Sequence, residues 1–269
     1  MSAHRREVCR SLSLRGRAGN ESGVQRLRLL IAYDGRPFRG WQSQAGGDAV
    51  QDHLERAFAQ LCGKRIVVHG SGRTDTGVHA LGQVAHVDVS RGRLPLKQWA
   101  PALNAHLPRE IRVLKVTLTG ASFHARFDTR GKVYIYRIWN APIMHPLELG
   151  RAWHVPAILD LAELRACAAL LDGTHDFAGF AANRRGVESD TTRTLQPIVL
   201  RRRGSLLTLH FEGDGFLYKM VRLLTGTLIR CAQHRADRQF IATLLAAKER
   251  TKTSFAAPAD GLYLARVLY

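Results

Sequence analysis

Hydrophobic and polar positions follow two different periods along the first half of the chain. Residues 26–33 (RLRLLIAY) alternate and then become apolar, which is typical of a strand, and Asp34-Gly35 ends it. Apolar residues recur at helical spacing between residues 49 and 61. The same reasoning predicts four more elements: strands at 65–69, 82–89 and 111–118, and a helix at 95–107. The order β-α-β-β-α-β is that of a ferredoxin-like unit, which RNA-recognition modules share.

The second half carries another α+β pattern that contains more helix. Residues 132–140 (KVYIYRIWN) predict a strand with aromatic residues on one face. The other predicted elements are helices at 157–171, 216–233 and 237–247, a hairpin of 193–202 and 206–212 around Gly204, and a strand at 262–267. We therefore predict an α+β protein of two ferredoxin-like halves, residues 26–121 and 122–269, whose mainly antiparallel sheets flank a central basic cleft.

The charge balance narrows the classes of function. The sequence holds 40 Lys and Arg against 22 Asp and Glu, a formal net charge of +18. Folding does not require this excess, so it indicates a polyanionic partner, with nucleic acid first and an anionic membrane surface second. No long basic amphipathic helix supports the membrane alternative, and no apolar run approaches the ~20 residues of a membrane span.

Residues 1–25 differ in composition from the rest of the chain. They are rich in arginine and serine and contain only two acidic residues, Glu7 and Glu21. Because no apolar core follows the basic residues, a secretory signal is not expected. We expect a disordered basic arm that adds affinity for nucleic acid, or an upstream start, rather than an organellar transit peptide.

Cysteine and histidine spacing gives no metal-binding pattern. Cys9, Cys62, Cys167 and Cys231 lie far apart and form no C-x-x-C pair, so a structural zinc site is not expected. Reduced thiols of this kind are typical of a cytoplasmic protein. The 12 histidines form no H-E-x-x-H pattern, so the sequence predicts no metal.

Residues 70–80 (GSGRTDTGVHA) place one carboxylate in a glycine-punctuated turn between two apolar runs. Asp75 is that carboxylate, and Arg73 stands two positions before it. Such a turn can present a single acid to a cleft, where it acts as a nucleophile or a base. The alternative is an Asx-type turn, in which the Asp75 side chain only caps nearby N–H groups.

The same stretch resembles the active-site motif of the tRNA pseudouridine synthase A (TruA) family. Further segments agree with that family in chain order: residues 33–35 (YDG), 38–44 (FRGWQSQ), 123–127 (FHARF), 132–136 (KVYIY), 175–177 (HDF), 192–194 (TRT), 215–222 (GFLYKMVR) and 258–264 (PADGLYL). The resemblance covers about residues 26–269. Two positions depart from the family pattern: Thr76 stands where Ala is usual, and Lys219 stands where a smaller polar residue is usual and can alter an RNA contact.

The resemblance implies conversion of uridine to pseudouridine in tRNA. The glycosidic bond breaks, the uracil turns, and the base rejoins the sugar through C5, with no metal, nucleotide or redox cofactor. Asp75 would be the essential carboxylate, Arg222 its cationic partner, and Tyr134 the residue that packs against the target base. Strand parity alone leaves Tyr134 and Tyr136 equivalent, and the family motif selects Tyr134. Arg73 would contact the RNA backbone or hold the extruded nucleotide.

Several points stay open at the level of sequence. Asp75 either attacks the base or the sugar, or removes a sugar proton. The alternative roles are a solvated helix arginine for Arg222 and a core aromatic for Tyr134, whereas His79 and His86 are expected to be structural. The resemblance implies the anticodon arm, at nucleotides 38 to 40, as the target and a homodimer as the binding unit.

Two other functions compete with this interpretation. A non-catalytic RNA-binding protein or RNA chaperone on the same fold would have a similar basic surface. A metal-dependent nuclease would need several clustered acidic ligands, and only Asp75 is prominent in a motif.

Overall fold

The computed structural model describes residues 23–182, 190–247 and 255–269. The strands in these ranges are β1 Val24–Tyr33, β2 His69–Gly70, β3 His79–Ser90, β4 Ile111–Thr119, β5 Gly131–Trp139, β6 Trp153–His154, β7 Gly173–Asp176, β8 Thr192–Leu195, β9 Val199–Arg203, β10 Leu206–Gly213 and β11 Leu262–Leu268. The helices are α1 Val50–Cys62, α2 Trp99–His106, α3 Leu161–Ala169, α4 Met220–Ala232 and α5 Arg238–Ala246. Most of the basic segment predicted over residues 1–25 lies outside the described residues.

The first four strands form an antiparallel sheet in the order β4-β1-β3-β2. This is the strand order of the ferredoxin-like unit, in which β3 lies between the two strands that α1 connects. Alternate residues of β1, namely Leu27, Leu29 and Ile31, are fully buried, as the period of two along this strand predicts. Phe58 of α1 packs against Trp99 of α2 with ring centroids 5.8 Å apart.

The later strands repeat the same order. The antiparallel order β11-β5-β10 continues through β8 to β7, and β9 also pairs with β10. β11 joins β3 in parallel through the pairs Tyr263–His79 and Leu264–Ala80. The α+β fold is therefore confirmed, and the strands of the two repeats belong to one open sheet rather than to two separate ones.

Two predicted strands have different limits in the structure. Only His69 of the 65–69 prediction is a strand residue, because side chains of α1 bind the backbone of Val68: Glu55 accepts from its N–H at 3.2 Å, and Gln51 donates to its carbonyl at 3.2 Å. The 193–202 prediction is two strands, β8 and β9, because Pro197 between them has no N–H for a ladder.

Three predicted helices begin later than their patterns suggest. The helix predicted from residue 216 begins at Met220 because Lys219, its N-cap, has φ 60°. The helix predicted from 157 begins at Leu161 because the Asp160 side chain caps it, accepting from the N–H groups of Ala162 and Glu163. The 95–107 segment begins with a 3₁₀ turn, and its α-helix starts at Trp99. Within the described part of the chain, no helix is long and apolar enough to cross a membrane.

Candidate active site

The loop between β2 and β3 carries Asp75, and buried hydrogen bonds hold it on both sides. On one side, Trp41 N–H donates to the Thr74 carbonyl at 3.1 Å, and the Thr74 and Tyr33 hydroxyls lie 2.8 Å apart. On the other side, Gln83 accepts from the Ser71 hydroxyl at 2.7 Å and donates to the carbonyl of residue 72 at 2.9 Å. The position of the Asp75 backbone is therefore set by the fold rather than by the turn alone.

Gly40 allows the 38–44 segment to lie directly behind this loop. Its φ is +80°, and a Cβ built on it would stand 2.5 Å from the Thr74 carbonyl oxygen. Because no side chain fits there, glycine is the residue that permits the Trp41–Thr74 hydrogen bond to form. This contact explains how residues 38–41 (FRGW) and 72–75 (GRTD), more than thirty residues apart in sequence, pack directly against each other.

Arg222 of α4 reaches Asp75 across 147 residues of sequence. Its Nη1 lies 3.2 Å from Asp75 Oδ2, and its Nε donates to the Ala257 carbonyl at 2.7 Å. The side chains are only 15% and 24% exposed for Arg222 and Asp75, respectively. The structure thus brings together the carboxylate and the cation that the sequence motifs suggested, with the guanidinium held in place by a second acceptor.

The charges at the start of α4 oppose the stability of that helix. Lys219 is its N-cap, Arg222 lies in its first turn, and no acidic residue is present there. A cation near a helix N-terminus is unfavourable, by about 0.3–1 kcal/mol, because the helix dipole is positive at that end. The helix therefore gains nothing from these two cations, and Arg222 pairs with Asp75 instead.

Tyr134 of β5 lies in the same cleft, packed edge-on against Phe216 with ring centroids 5.0 Å apart. Burial raises the pKa of the Tyr134 hydroxyl well above its usual value, and the negative charge of Asp75 adds to this rise. The hydroxyl therefore keeps its proton at neutral pH. Tyr136, the alternative on the same strand, is fully buried and donates to the Pro258 carbonyl at 2.7 Å. It does not line the cleft.

Arg73 is exposed on the cleft wall, where its Nε donates to Gln42 Oε1 at 3.1 Å. The cleft has a volume of about 860 Å³. Its charged lining consists of the cations Arg73, Arg126, Lys132, Arg193 and Lys219 and the acids Asp75 and Asp214. The predicted basic character of the cleft therefore follows from its own walls and not only from the overall charge.

Sequence reasoning missed several residues of this cleft. Arg126, Lys132 and Arg193 stand inside segments that resemble the family, but nothing in their spacing indicated that they face Asp75. Phe216 also lies in such a segment, and its role as the packing partner of Tyr134 depends on the β5–β10 pairing. A combined search for basic and aromatic residues within those segments would have found all four.

A carboxylate that lines a basic cleft and pairs with an anchored arginine is the kind of site expected of an enzyme that acts on nucleic acid. Comparisons with known proteins specify the class. The model of the tRNA pseudouridine synthase family matches residues 29–128 and 167–269. The chain belongs to this family of isomerases.

Curated relatives match over almost the whole chain. The chain is 46% identical over 253 residues to the tRNA pseudouridine synthase A of Akkermansia muciniphila. The matched region covers 91% of this chain and 96% of that protein. It is 46% identical over 253 residues to the protein of the same name from Solidesulfovibrio magneticus, with 91% and 92% covered. The corresponding protein of Geobacillus kaustophilus is 42% identical over 248 residues, with 91% and 95% covered. The family resemblance in the sequence is thereby confirmed.

Proposed function

We propose that this chain isomerises uridine to pseudouridine at positions 38–40 of the tRNA anticodon arm, with Asp75 as the essential carboxylate. The observation that carries this proposal is the 3.2 Å pair between Asp75 and Arg222 at the wall of a basic cleft. A partly buried ion pair of this kind is weak evidence for stability, because desolvation offsets much of its attraction. Its presence in a cleft therefore favours a chemical role over a structural one.

The reaction needs no atoms other than those of the substrate. The bond from C1′ of the ribose to N1 of uracil breaks, and a bond from C1′ to C5 forms. C5 loses a proton, and N1 ends with a proton. One positioned carboxylate, a hydroxyl that can move a proton and a shielded pocket are sufficient for these steps.

Each cleft residue has a place in this scheme. Arg222 fixes the direction of the Asp75 carboxylate, because its guanidinium is itself anchored to Ala257. Tyr134 packs against the uracil, and its hydroxyl moves the C5 proton. Arg73 binds the RNA backbone or holds the extruded nucleotide beside the other cations of the cleft.

The proposal includes three features of the whole protein. We propose a boundary between the two α+β halves near residues 121 and 122. We propose a homodimer that binds one tRNA across both subunits, for which the exposed apolar side chains of Ile143 and Ile158, 81% and 93% exposed, offer contact area. A cytoplasmic location follows from the substrate and from the reduced cysteines.

Replacement of one acid by its amide tests the assignment. Purified Asp75→Asn protein is expected to form no pseudouridine and to bind tRNA at least as tightly, because one negative charge leaves a basic cleft. Asp214→Asn is the matched control: Asp214 lines the same cleft, and its Oδ1 only accepts from Thr194 N–H at 3.1 Å. Appreciable turnover by Asp75→Asn would refute the role of this carboxylate.

Three further measurements address the substrate, the need for a metal and the assembly. Pseudouridine is mapped on tRNA from cells with and without this protein. In the cells that lack the protein, pseudouridine is expected to be absent at positions 38–40 only. Adding EDTA should leave pseudouridine formation intact, whereas EDTA would abolish the activity of a metal-dependent nuclease. Light scattering is expected to give twice the mass of one chain, and a monomeric mass in the presence of tRNA would contradict the homodimer.

A further inference from the structure

A cluster of three histidines lies along the cleft wall, away from Asp75. The β2–β3 register places His69 opposite His86, and the two rings stack with centroids 4.8 Å apart. The His124 ring meets the His86 ring edge-on at 4.7 Å. His69 and His124 line the cleft, whereas His86 is buried behind them. One ring nitrogen from each of the three lies within 4.8 Å of the others.

Such a cluster invites comparison with a metal site, but the backbone fixes the wrong tautomers for one. Ala125 N–H donates to His86 Nδ1 at 3.1 Å, and Arg126 N–H donates to His124 Nδ1 at 3.1 Å. A backbone N–H can only be accepted by a lone pair, so both neutral rings carry their proton on Nε2. Metal-bound histidines usually have the opposite arrangement, in which the outer nitrogen donates to an acceptor.

The electrostatic surroundings also suit an anion. Burial, and then His69, Arg26 and His124, lower the pKa of His86 to about 4, while the acid Asp88 opposes this shift. Burial and then His69 lower the pKa of His124, against Asp128. Both acids bind groups other than the histidine rings. Asp88 pairs with Arg26 at 2.7 Å, and Asp128 accepts from the backbone N–H of His124 at 2.9 Å. His86 and His124 are therefore neutral N–H donors at neutral pH.

We infer that His124 and His69, with His86 behind them, form a subsite of the cleft that binds one backbone phosphate of the RNA substrate through imidazole N–H donors, of which His124 supplies its Nε2–H. An oxygen that accepts two hydrogen bonds of about 2.8 Å can bridge nitrogens separated by up to 4.8 Å. The identity of the ligand as RNA rests on the proposed function. The ring contacts and the backbone N–H bonds to Nδ1 of His86 and His124 do not depend on that function.

Neutral donors differ from cationic ones in a measurable way. A lysine or arginine that binds a phosphate releases a counterion, so its loss weakens binding and lowers the dependence of log K on log salt by about 0.7–0.9. A neutral imidazole releases no counterion. Its loss should lower affinity by about tenfold, the lower end of the range for a hydrogen bond to a charged group, without changing that slope.

The test compares three variants in an Asp75→Asn background, which separates tRNA binding from turnover. His124→Asn keeps an acceptor close to the position of Nδ1, for the Arg126 N–H, and removes the Nε2 donor. Arg126→Gln removes a cation of the same cleft wall, and His106→Gln removes an exposed histidine at the end of α2. Affinity for a tRNA transcript is measured by fluorescence anisotropy from 50 to 300 mM KCl at pH 7.5, with the melting temperature as a control for folding.

His124→Asn is expected to fold normally, bind about tenfold more weakly and retain the wild-type salt slope. Arg126→Gln should lower the slope, and His106→Gln should change neither quantity. Wild-type affinity in His124→Asn would overturn the inference and leave His124 as a loop cap only. Uptake of Zn²⁺ by the parent protein that His124→Asn abolishes and His106→Gln leaves intact would overturn it in favour of a metal site.

Two further results keep this inference separate from the proposed function. Absence of pseudouridine formation by the wild type, with the His124 effect intact, would refute the activity alone. Absence of any tRNA binding would refute the proposed substrate. In that case inorganic phosphate, titrated against the histidine ring signals in a ¹³C–¹H spectrum, tests the subsite directly: perturbed His69 and His124 signals support it, and unperturbed signals overturn it.

Discussion

The packing of Gly40 against the Asp75 loop allows a prediction that separates backbone strain from misplacement of the catalytic group. In Gly40→Ala, the new Cβ would stand 2.5 Å from the Thr74 carbonyl oxygen, which is about 1 Å closer than an ordinary carbon–oxygen contact. Either the 38–44 segment or the Asp75 loop must therefore move by a large part of that distance. Misplacement of a reacting group by about 1 Å typically lowers the rate about 100-fold.

Gly63→Ala is the matched control for this substitution. Gly63 also has a left-handed backbone, with φ +69° against +80° for Gly40, but a Cβ at residue 63 meets nothing within 4 Å. In both variants alanine costs about 1–2 kcal/mol in this conformation, offset by about 0.4–1 kcal/mol from the less flexible unfolded chain. The net loss of about 1 kcal/mol should lower the melting temperature of each by about 2–4 °C.

The assay measures release of the C5 hydrogen from tritiated uridine in a tRNA transcript, together with the melting temperature. Gly63→Ala is expected to keep the wild-type kcat, whereas Gly40→Ala should lose about 100-fold in kcat at a temperature where both are folded. Equal rates in the two variants would refute the claim that the Gly40–Thr74 contact positions Asp75.

The remaining predictions concern the residues around the carboxylate. Arg222→Ala should lower kcat/KM by at least about 100-fold, because the Asp75 carboxylate loses the guanidinium that fixes its direction. Arg222→Lys should rescue only part, because one ammonium cannot hold both Ala257 and Asp75. Tyr134→Phe should keep the Phe216 contact, bind tRNA normally and stall after the glycosidic bond breaks, and a wild-type rate would exclude a role for the hydroxyl. Lys219→Gly should relieve the φ of 60° and raise the melting temperature by about 2 °C, while it weakens tRNA binding and lowers the salt slope; unchanged binding would remove Lys219 from the RNA interface.

The hydrophobic periodicity of the sequence was sufficient to locate most strands of the sheet and the helices that bury one apolar face. It was wrong about residues 65–68 because Glu55 and Gln51 satisfy the Val68 backbone from a helix, and a one-dimensional pattern carries no information about such side-chain partners. It extended α4 backwards because Lys219 is a good helix former that the fold holds in a left-handed conformation. In both places tertiary contacts override local preference.

Sequence reasoning likewise found one part of the candidate site and missed another. The family motifs bring Asp75, Arg222 and Tyr134 to attention, and the fold places them at one cleft, while their roles stay predictions. The histidine cluster was beyond reach from sequence, because His69, His86 and His124 are far apart and their chemistry depends on which nitrogen accepts a backbone N–H. Tautomers follow from three-dimensional contacts and have no sequence signature.

The short parallel pairing between β3 and β11 has a consequence for the order in which the site is assembled during synthesis of the chain. Asp75 precedes β3, whereas Arg222 is anchored by Ala257, which directly precedes the 258–264 segment and β11. Among the described elements β11 leaves the ribosome last, so the carboxylate emerges long before the contacts that complete its surroundings. A nascent chain can therefore form the first sheet before Arg222 is held beside Asp75. Under the proposed function, activity appears only after β11 has paired with β3 and β5 and so reports that the two halves have joined.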